Sequence, residues 1–329
     1  MHINQFDQES LIIRLIFSQL TFLTALEKMK LTNEFNSLTE LLSCDLLKLS
    51  VIVGRKLKSI LWNPARLKHD ALFDIRIMQT YNIGVIFYDL EDYPQKLREI
   101  HDPPYALFYR GDVAILKNNC VAMVGTRHPS MTSIKVAKTI AQDLTVAGLT
   151  IVSGLAYGID TQSHFGSLLA QGNPHYGKTI AVLGSSVENI TPASNKRLAQ
   201  SILSSGGLII SEYQPSSSVF KYNFVQRNRI ISALSMATIV IEAPRGSGAL
   251  ITADFALEHN RLLCFYKKKD EFPHKSPGTK DIQILLFETE GIKTPKASKH
   301  NQKRSVDDYI EEGAPTIESA LEFLGLLYG

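Results

Sequence analysis

Cysteine is scarce in this chain of 329 residues, and long uninterrupted apolar runs are absent. The three cysteines, Cys44, Cys120 and Cys264, lie far apart with no C-x-x-C pair, which argues against a disulfide framework and against a zinc site. The apolar stretch of residues 11–26 is interrupted by polar side chains and is too short to span a bilayer. The amino-terminal residues lack the basic start of a signal peptide. We therefore expect a cytoplasmic protein with no membrane segment and no bound metal.

A dinucleotide fingerprint is missing as well. The first glycine loop of the predicted sheet begins at Gly125 and does not read G-x-G-x-x-G, and no acidic residue clearly ends the following strand. A nicotinamide cofactor is therefore disfavoured, and we expect no cofactor. With 44% hydrophobic and 20% charged residues the chain can bury a full core. Its net charge of +3 neither requires nor excludes a nucleic-acid partner.

Residues 1–80 carry apolar residues at helical spacing, including Leu11, Leu15 and Leu23, which predicts a small all-helical domain. The turn at Gly54 loosely resembles a helix-hairpin-helix, in which the amides of a glycine turn meet a DNA phosphate. Only Gly54 fits that glycine-rich turn, so a plain helical bundle is favoured.

From about Gly84 onward, apolar runs of strand length alternate with amphipathic stretches, which predicts a parallel sheet with crossover helices. The fold class is α/β, a Rossmann-like, doubly wound and mainly parallel sheet over residues 81–290. The predicted strands are Val85–Tyr88, Val121–Val124, Thr150–Ser153, Thr179–Leu183, Leu208–Ser211, Thr238–Glu242 and Leu262–Tyr266. The predicted helices lie near 131–147, 159–171, 194–204, 224–235 and 248–259. Residues 291–329 are predicted to form a polar linker and a short helix, Thr316–Leu327.

Nearly every predicted strand ends in glycine, serine or both. In such a sheet, ligands bind beyond the carboxyl ends of the strands, where glycine permits close approach of the backbone. Four arginines flank these strand ends and can supply forked donors, namely Arg127, Arg227, Arg229 and Arg245. The pattern predicts a cleft that binds phosphate groups.

Residues 224–261 contain no obvious nucleophile or general base, so we expect binding without catalysis. Glu242 ends a predicted strand inside the cleft. We favour an ion pair of Glu242 with Arg227 or Arg229 over a role as a general base. Asp160 lies at a predicted helix start. We favour a role in capping or stabilising the amino end of that helix over a role as a catalytic acid.

Several long motifs, in order, resemble the DNA-processing protein A (DprA/Smf) family over about residues 84–290. They are DYPQKLREIHDPPYALFYRGD (92–112), VGTR (124–127), SGLAYGID (153–160), FVQRNRIISALS (224–235) and EAPRGSGALITADFAL (242–257). The helical amino-terminal region is similar to the sterile-alpha-motif-like domain often found in the family.

The resemblance implies a protein that binds single-stranded DNA, protects incoming DNA in natural transformation and loads the RecA recombinase onto it. Arg127, Arg227 and Arg229 are then the phosphate contacts, and Tyr222 or Phe224 stacks on a base. The full set of expected DNA-binding residues is Gly125, Arg127, Ser153, Gly154, Lys221, Tyr222, Phe224, Arg227, Asn228, Arg229, Gly246, Ser247 and Gly248.

The chain departs from the family's pattern in places. Val225 stands where the family has a proline, and residues 267–269 are a lysine run in place of a Val-Pro-Gly-like turn. That run either extends the basic surface or is a solvated loop. These departures leave self-association as a homodimer open. The alternative functions are a nucleotide-sensing protein and a LOG-like phosphoribohydrolase that acts on nucleoside monophosphates. The enzyme's Pro-Gly-Gly-x-Gly-Thr turn and its glutamate are both absent from APRGSGALITAD.

Overall fold

One nine-stranded sheet organises the protein in the computed structural model, which describes residues 6–58, 62–170, 172–267 and 304–329. The strands are β1 (Gly84–Phe87), β2 (Ala106–Gly111), β3 (Cys120–Val124), β4 (Thr150–Ser153), β5 (Thr179–Leu183), β6 (Leu208–Ser211), β7 (Ala237–Val240), β8 (Leu262–Tyr266) and β9 (Thr316–Ile317). Their order across the sheet is β1-β2-β6-β5-β4-β3-β7-β8-β9. From β6 to β9 every pairing is parallel, whereas β2 is antiparallel to both β1 and β6.

Within the described residues, the chain before residue 84 is helical, and after residue 84 helices alternate with these strands. They are α1 (Gln8–Ser18), α2 (Ala25–Glu34), α3 (Leu38–Leu42), α4 (Leu46–Val53), α5 (Pro64–Tyr81), α6 (Gln95–Arg98), α7 (Met131–Val146), α8 (Ile159–Leu169), α9 (Lys196–Ser204), α10 (Asn223–Gln226), α11 (Asn228–Leu234), α12 (Gly248–Glu258), α13 (Val306–Glu311) and α14 (Ala320–Tyr328). None of these helices combines the length and the apolar character needed to cross a bilayer.

The central strand β3 is buried on both faces, which explains its continuous apolar sequence. Val121 and Met123 pack in a cluster with the apolar residues of α7 and α14. Ala122 and Val124 belong to a second cluster that includes α11 and α12. The sheet is therefore covered by helices on both sides, and the predicted Rossmann-like, doubly wound fold is confirmed.

The strand order reverses at β3. From β3 the chain adds β4, β5 and β6 on one side, and then returns to add β7, β8 and β9 on the other. In open α/β sheets the ligand crevice lies beyond the carboxyl ends of the strands at such a reversal. The topology therefore singles out the loops that follow β3 and β7, together with their neighbours after β4 and β5.

The amino-terminal helices share one apolar core with the sheet. Leu15 and Phe17 of α1 lie in the same buried cluster as Phe87 and Phe108 of the first two strands. The helices begin at residues with the expected capping chemistry, such as Thr24, which forms a capping box with Glu27 at the start of α2. The domain boundaries near residues 80 and 290 stay predictions.

The turn at Gly54 has a structural role. Gly54 adopts a left-handed conformation (φ 82°) at the end of α4, and its amide donates to the carbonyl of Ser50 at 3.0 Å. That amide is used to close the helix, as expected of a glycine C-cap.

Several predicted elements differ from the structure. The predicted helix of residues 224–235 is split at Arg227 into α10 and α11. The backbone of Arg227 keeps helical angles (φ −54°, ψ −30°), and its carbonyl accepts from Ile230 N at 2.9 Å in a tightened turn. The predicted linker contains α13, and the predicted helix 316–327 begins as β9 before α14. The strand β2 has no counterpart in the prediction, since ALFYRG follows two prolines and pairs antiparallel without a crossover helix. Residues 291–303 of the predicted linker lie outside the described residues.

A buried carboxylate links α5 to the chain segment after β6. Asp74 is fully buried and accepts hydrogen bonds from Ser216 N at 2.6 Å and from Gln214 Nε2 at 2.6 Å. Burial raises the pKa of Asp74 to about 7, and the nearby acids Asp70 and Glu188 act in the same direction. The hydrogen bonds from Ser216 oppose this shift but do not cancel it.

This raised pKa has a measurable effect on stability. The folded state holds the Asp74 proton more tightly than the unfolded chain, so its contribution to the free energy of unfolding is present at low pH and is lost as pH rises towards about 7. We expect wild type to lose stability relative to Asp74→Asn by up to about 1.4 kcal/mol per pH unit between roughly pH 4 and pH 7. Urea denaturation of both proteins at several pH values measures this difference, and a difference that does not change with pH would contradict the expectation.

Candidate functional site

The loops after β3, β4 and β7 are joined by backbone hydrogen bonds at one edge of the sheet. Thr126 N donates to the carbonyl of Glu242 at 2.6 Å, and Ile159 N donates to the carbonyl of Thr126 at 3.1 Å. A Cβ on Gly125 would lie 2.5 Å from the side chain of Ile159, so this position requires glycine for close packing. Arg127 extends from the same loop and is exposed. The predicted convergence of strand-end loops is thus present.

Arg227 lies beneath this crevice and is 3% exposed. Its Nη1 donates to the carbonyl of Gly154 at 2.6 Å and to the carbonyl of Val182. Burial, and then the positive charge of Arg127, lower the pKa of Arg227 to about 10, while Asp160 opposes the shift. Arg227 therefore stays charged at neutral pH.

Asp160 holds the β4 loop from below. It is buried in the first turn of α8, and its Oδ2 accepts from Gly154 N at 3.1 Å and from Ala156 N at 3.4 Å. Burial raises the pKa of Asp160, and Arg227 acts to lower it. The side chain thus orders the loop that carries Gly154. Ser153 is also buried and donates to the carbonyl of Met123 at 2.6 Å.

Arg229 is engaged in a buried ion pair. Its Nη1 and Nη2 each donate to a carboxylate oxygen of Glu212 at 2.7 Å, and its Nε donates to the carbonyl of Asp102 at 2.9 Å. Burial acts to lower the pKa of Arg229, but Glu212 and Asp102 raise it well above its ordinary value. Its forked donors therefore point at the protein, and a phosphate contact by Arg229 stays a prediction.

The predicted pairing of Glu242 with Arg227 or Arg229 is wrong. Glu242 lies just beyond β7, beside the start of α7, and its Oε2 accepts from Ser130 N at 2.9 Å and from Ser130 Oγ at 3.0 Å. Desolvation raises its pKa, but hydrogen bonds from Ser133 and Ser130 outweigh this and lower it. Glu242 is therefore an ionised acceptor that positions the β3 loop.

An exposed aromatic pair lies in the segment between β6 and α10. The rings of Phe220 and Tyr222 are stacked, with centroids 5.5 Å apart and an interplanar angle of 10°. They are 51% and 57% exposed, and Lys221 between them is exposed too. Phe224 is half-buried instead, and a Cβ on Gly184 would lie 2.8 Å from its ring. Of the two predicted stacking residues, Tyr222 has the freer ring.

Tyr213 was not predicted as a site residue. In the chain it lies between Glu212, which pairs with Arg229, and Gln214, which bonds to Asp74. Desolvation, followed by Glu212, raises the pKa of Tyr213, so it is a neutral hydroxyl. The sequence feature that could have identified Tyr213 as a site residue is its position directly after the strand-end residues Ser211 and Glu212.

The loop after β7 is held by the carboxyl-terminal segment. Gly246 has φ 68°, and its amide donates to the carbonyl of Arg304 at 3.0 Å. Arg245 lies 3.8 Å from Asp308 in an exposed ion pair. The amide of Gly246 is therefore already occupied.

The start of α12 is less constrained. The Ser247 Oγ is buried and has no hydrogen-bond partner among the described residues. A Cβ on Gly248 would meet nothing within 4 Å. Asn228 is buried, and its Nδ2 donates to the carbonyl of Gly248 at 3.3 Å, which ties α11 to α12.

Residues 172–179, GNPHYGKT, match the phosphate-loop pattern G-x-x-x-x-G-K-[ST]. The context is wrong for that function, because Thr179 begins β5, whereas the motif requires a helix start after its lysine. Gly177 N donates to the carbonyl of Thr145 at 2.8 Å, and a Cβ on Gly177 would lie 1.9 Å from the carbonyl of Leu149. The segment packs at the amino ends of the strands, away from the crevice.

The described residues contain no group of three or more His, Cys, Asp or Glu side chains that could hold a metal ion. The buried His164 bonds through Nδ1 to Thr179 Oγ1 at 2.7 Å, and burial lowers its pKa to about 3, so it stays neutral. Of the predicted lysine run, Lys267 lies 3.5 Å from Asp307, while Lys268 and Lys269 lie outside the described residues.

Gly154→Ala tests the packing of Arg227 against the β4 loop. The new Cβ would lie 2.4 Å from the guanidinium of Arg227, which is held by two carbonyl groups and cannot move without losing them. We expect the free energy of unfolding to fall by about 2 kcal/mol. Gly325→Ala is the control, since its Cβ meets nothing within 4 Å in α14 and should stabilise slightly. Equal stability of the Gly154 variant and wild type in urea denaturation would contradict this packing.

Comparisons with known proteins agree on one family. The model of the DNA recombination-mediator protein A family matches residues 84–324. Protein Smf of Borreliella burgdorferi is 33% identical over 248 residues, which are 74% of this chain and 75% of that protein. Protein Smf of Synechocystis is 44% identical over 53% of this chain, and DNA processing protein DprA of Streptococcus pneumoniae is 43% identical over 51% of it. These last two alignments span 43% and 57% of the relatives' own lengths.

Solved structures extend the similarity to the fold. DNA processing protein A of Streptococcus pneumoniae superposes with a TM-score of 0.65 at 29% identity, over 95% of this chain and 97% of that one. DNA processing protein A of Helicobacter pylori, described for its mode of binding single-stranded DNA, superposes with a TM-score of 0.58 at 26% identity over 75% of this chain and 96% of that one. With the family model covering most of the chain, the protein belongs to the DNA recombination-mediator protein A (DprA/Smf) family.

Proposed function

We propose that this protein binds single-stranded DNA along the crevice at the carboxyl ends of the strands. It mediates recombination without catalysing a reaction on the DNA. The observation that carries the proposal is the arrangement of Arg127, Arg227 and Tyr222. Arg127 is exposed on the β3 loop, which the bond from Ile159 N to the carbonyl of Thr126 joins to the chain after the β4 loop. The carbonyl of Gly154 in the β4 loop accepts from the buried Arg227, and α10 connects Arg227 to Tyr222. An exposed cation for a backbone and an exposed ring for a base therefore lie on segments that the buried Arg227 joins.

The aromatic pair favours a single strand over a duplex or a free nucleotide. Exposed rings bind unstacked bases by stacking, and a duplex hides its base faces. Phe220 and Tyr222 present two stacked rings, and the residue between them in the chain is the exposed Lys221. A mononucleotide could use one ring and one cation at a time, whereas a strand of several nucleotides can use the rings and the crevice together.

The family membership supports the finer parts of the proposal. In this proposal the bound strand is incoming DNA, which the protein protects and transfers to the RecA recombinase in the cytoplasm. A homodimer is the proposed assembly. A direct test is whether the purified protein increases the rate at which RecA forms filaments on oligo-dT. No increase would overturn this part alone.

Fluorescence anisotropy with labelled oligo-dT at several salt concentrations tests the binding itself. The logarithm of the association constant should fall linearly with the logarithm of salt concentration, with a slope of about −0.7 for each phosphate contacted. Tyr222→Ala should weaken binding, whereas Tyr81→Ala, which removes a tyrosine that is 46% exposed on α5, should not. Oligo-dT binding no tighter than that of dTMP would overturn the proposal, and release of adenine from AMP would instead support a phosphoribohydrolase.

A further inference from the structure

The segment between β6 and α10 is anchored at its base by the amino-terminal helices. Asp74 of α5 accepts from Ser216 N at 2.6 Å through Oδ1, and from Ser216 Oγ at 3.0 Å and Gln214 Nε2 at 2.6 Å through Oδ2. The side-chain oxygen of Gln214 accepts a hydrogen bond from Ser18 Oγ at the end of α1. Gln214 is 2% exposed. Two helices that precede the sheet therefore hold this one glutamine.

Beyond this anchor the segment leads directly to the proposed DNA site. Ser217 N donates to the carbonyl of Gln214 at 2.9 Å in a tight turn, and residues 218–222 are all exposed. Asn223 N then donates to the carbonyl of Phe220 at 3.1 Å, where α10 begins. The stacked rings thus lie between the anchor and the helix, and Asn223 Nδ2 also donates to the carbonyl of Ser218 at 3.4 Å across this stretch.

Placing a carboxylate in the core at this point is costly. Asp74 has 0% exposure, and the charges that act on it from its own helix and from the loop after β5, Asp70 and Glu188, are both negative. A buried acid of this kind adds little stability compared with an apolar residue of the same size. It does specify one conformation of the chain, because a backbone amide and two side chains must all reach its oxygens.

We infer that Asp74 is a positioning residue for the single-stranded DNA site, which holds Gln214 and Ser216 so that Phe220, Lys221 and Tyr222 are presented beside the crevice. The amino-terminal helices then contribute to DNA affinity without touching DNA. The inference rests on the proposed function for its binding readout, and on the structure alone for the ordering of the segment.

The test compares Asp74→Ala and Asp74→Asn with a matched control. Asp89→Asn removes a different contact between the amino-terminal helices and the sheet region, the ion pair of Asp89 with Arg14 at 2.6 Å, and leaves residues 212–223 untouched. We expect Asp74→Ala to raise the dissociation constant for oligo-dT at least fivefold. Asp74→Asn should weaken binding less than Asp74→Ala does, since its amide oxygen still accepts from Ser216 N while its Nδ2 cannot accept from Gln214 Nε2. Asp89→Asn should stay within twofold of wild type.

Amide hydrogen exchange of the same proteins provides a readout that general destabilisation does not give. Asp74→Ala should speed exchange at least tenfold at the hydrogen-bonded amides of Ser216, Ser217 and Asn223, with the strands β3 to β7 unchanged. If Asp74→Ala does not fold, Gln214→Met takes its place, because it removes the hydrogen bonds to Asp74 and Ser18 and leaves the carboxylate.

The outcomes separate this inference from the proposed function. A folded Asp74→Ala that binds oligo-dT as wild type does, or an Asp89→Asn that weakens binding as much as Asp74→Ala, overturns the positioning role. If wild type binds no oligo-dT, the proposed function fails. The exchange of residues 214–223 then decides by itself whether Asp74 orders the segment.

Discussion

Arg127→Ala will bind oligo-dT about tenfold more weakly than wild type at low salt. Arg127 is exposed on the loop after β3 and donates no hydrogen bond to other described residues, so its guanidinium is available to a phosphate oxygen. Loss of one charge-assisted hydrogen bond of about 1.4 kcal/mol corresponds to that factor. The slope of log affinity against log salt should also become less steep by about 0.7, the value for one phosphate contact on a single strand.

Arg66→Ala is the matched control for this measurement. It removes the same charge from an exposed arginine on α5, whose contact with Asp70 is a weak ion pair at 3.7 Å. The control should bind oligo-dT with the wild-type slope. If both variants lose the same affinity, Arg127 acts only through the overall charge of the protein.

Arg229→Met will lower the free energy of unfolding by about 3 kcal/mol or more. The substitution leaves Glu212, whose side chain is 17% exposed, without the two charge-assisted bonds at 2.7 Å that now satisfy it. Removing one partner of a buried pair is more damaging than removing both, because the remaining charge is uncompensated. Urea denaturation measures the loss, and the double variant Arg229→Met, Glu212→Gln should recover part of it.

The exposed Arg245 provides the comparison. Its ion pair with Asp308 is 3.8 Å long and its side chain is 68% exposed, so Arg245→Met should cost less than about 1 kcal/mol. A loss of similar size in the two variants would mean that the pair of Arg229 with Glu212 is not buried in solution. Together with the experiment on Arg127, these two experiments separate the arginines that bind DNA from those that stabilise the fold.

The sequence predicted the central sheet well because buried parallel strands leave a strong pattern. The strands β4, β5, β6 and β8 begin and end where the sequence placed them, since each is an apolar run closed by turn residues. The strands β2 and β9 were missed for physical reasons. The first follows two prolines and pairs antiparallel to a distant strand, and the second is two residues long and forms only where β8 offers it a partner.

The site was predicted in part. The convergence of the loops follows from topology, so Gly125 and Gly154 could be placed in one crevice from sequence alone. The burial of Arg229 could not be predicted, because it depends on the tertiary approach of Glu212 and Asp102, which lie far from it in the chain. The pairing of Glu242 failed for the same reason, since a carboxylate at a strand end can reach either a cation or a helix start. The burial of Arg227 likewise depends on carbonyl acceptors, those of Gly154 and Val182, that lie far from it in the chain.

The two edges of the sheet have a consequence for assembly with other chains. At one edge, β9 presents only two residues of backbone, and at the other, β1 is buried along its whole length within the core shared with the amino-terminal helices. Short or covered edge strands leave little unpaired backbone for a neighbouring chain to extend. Within the part of the chain that the structure describes, a second copy or a partner protein would therefore find little sheet edge to extend. We expect its interface to use side chains on the helices, where surface substitutions weaken binding and leave the fold intact.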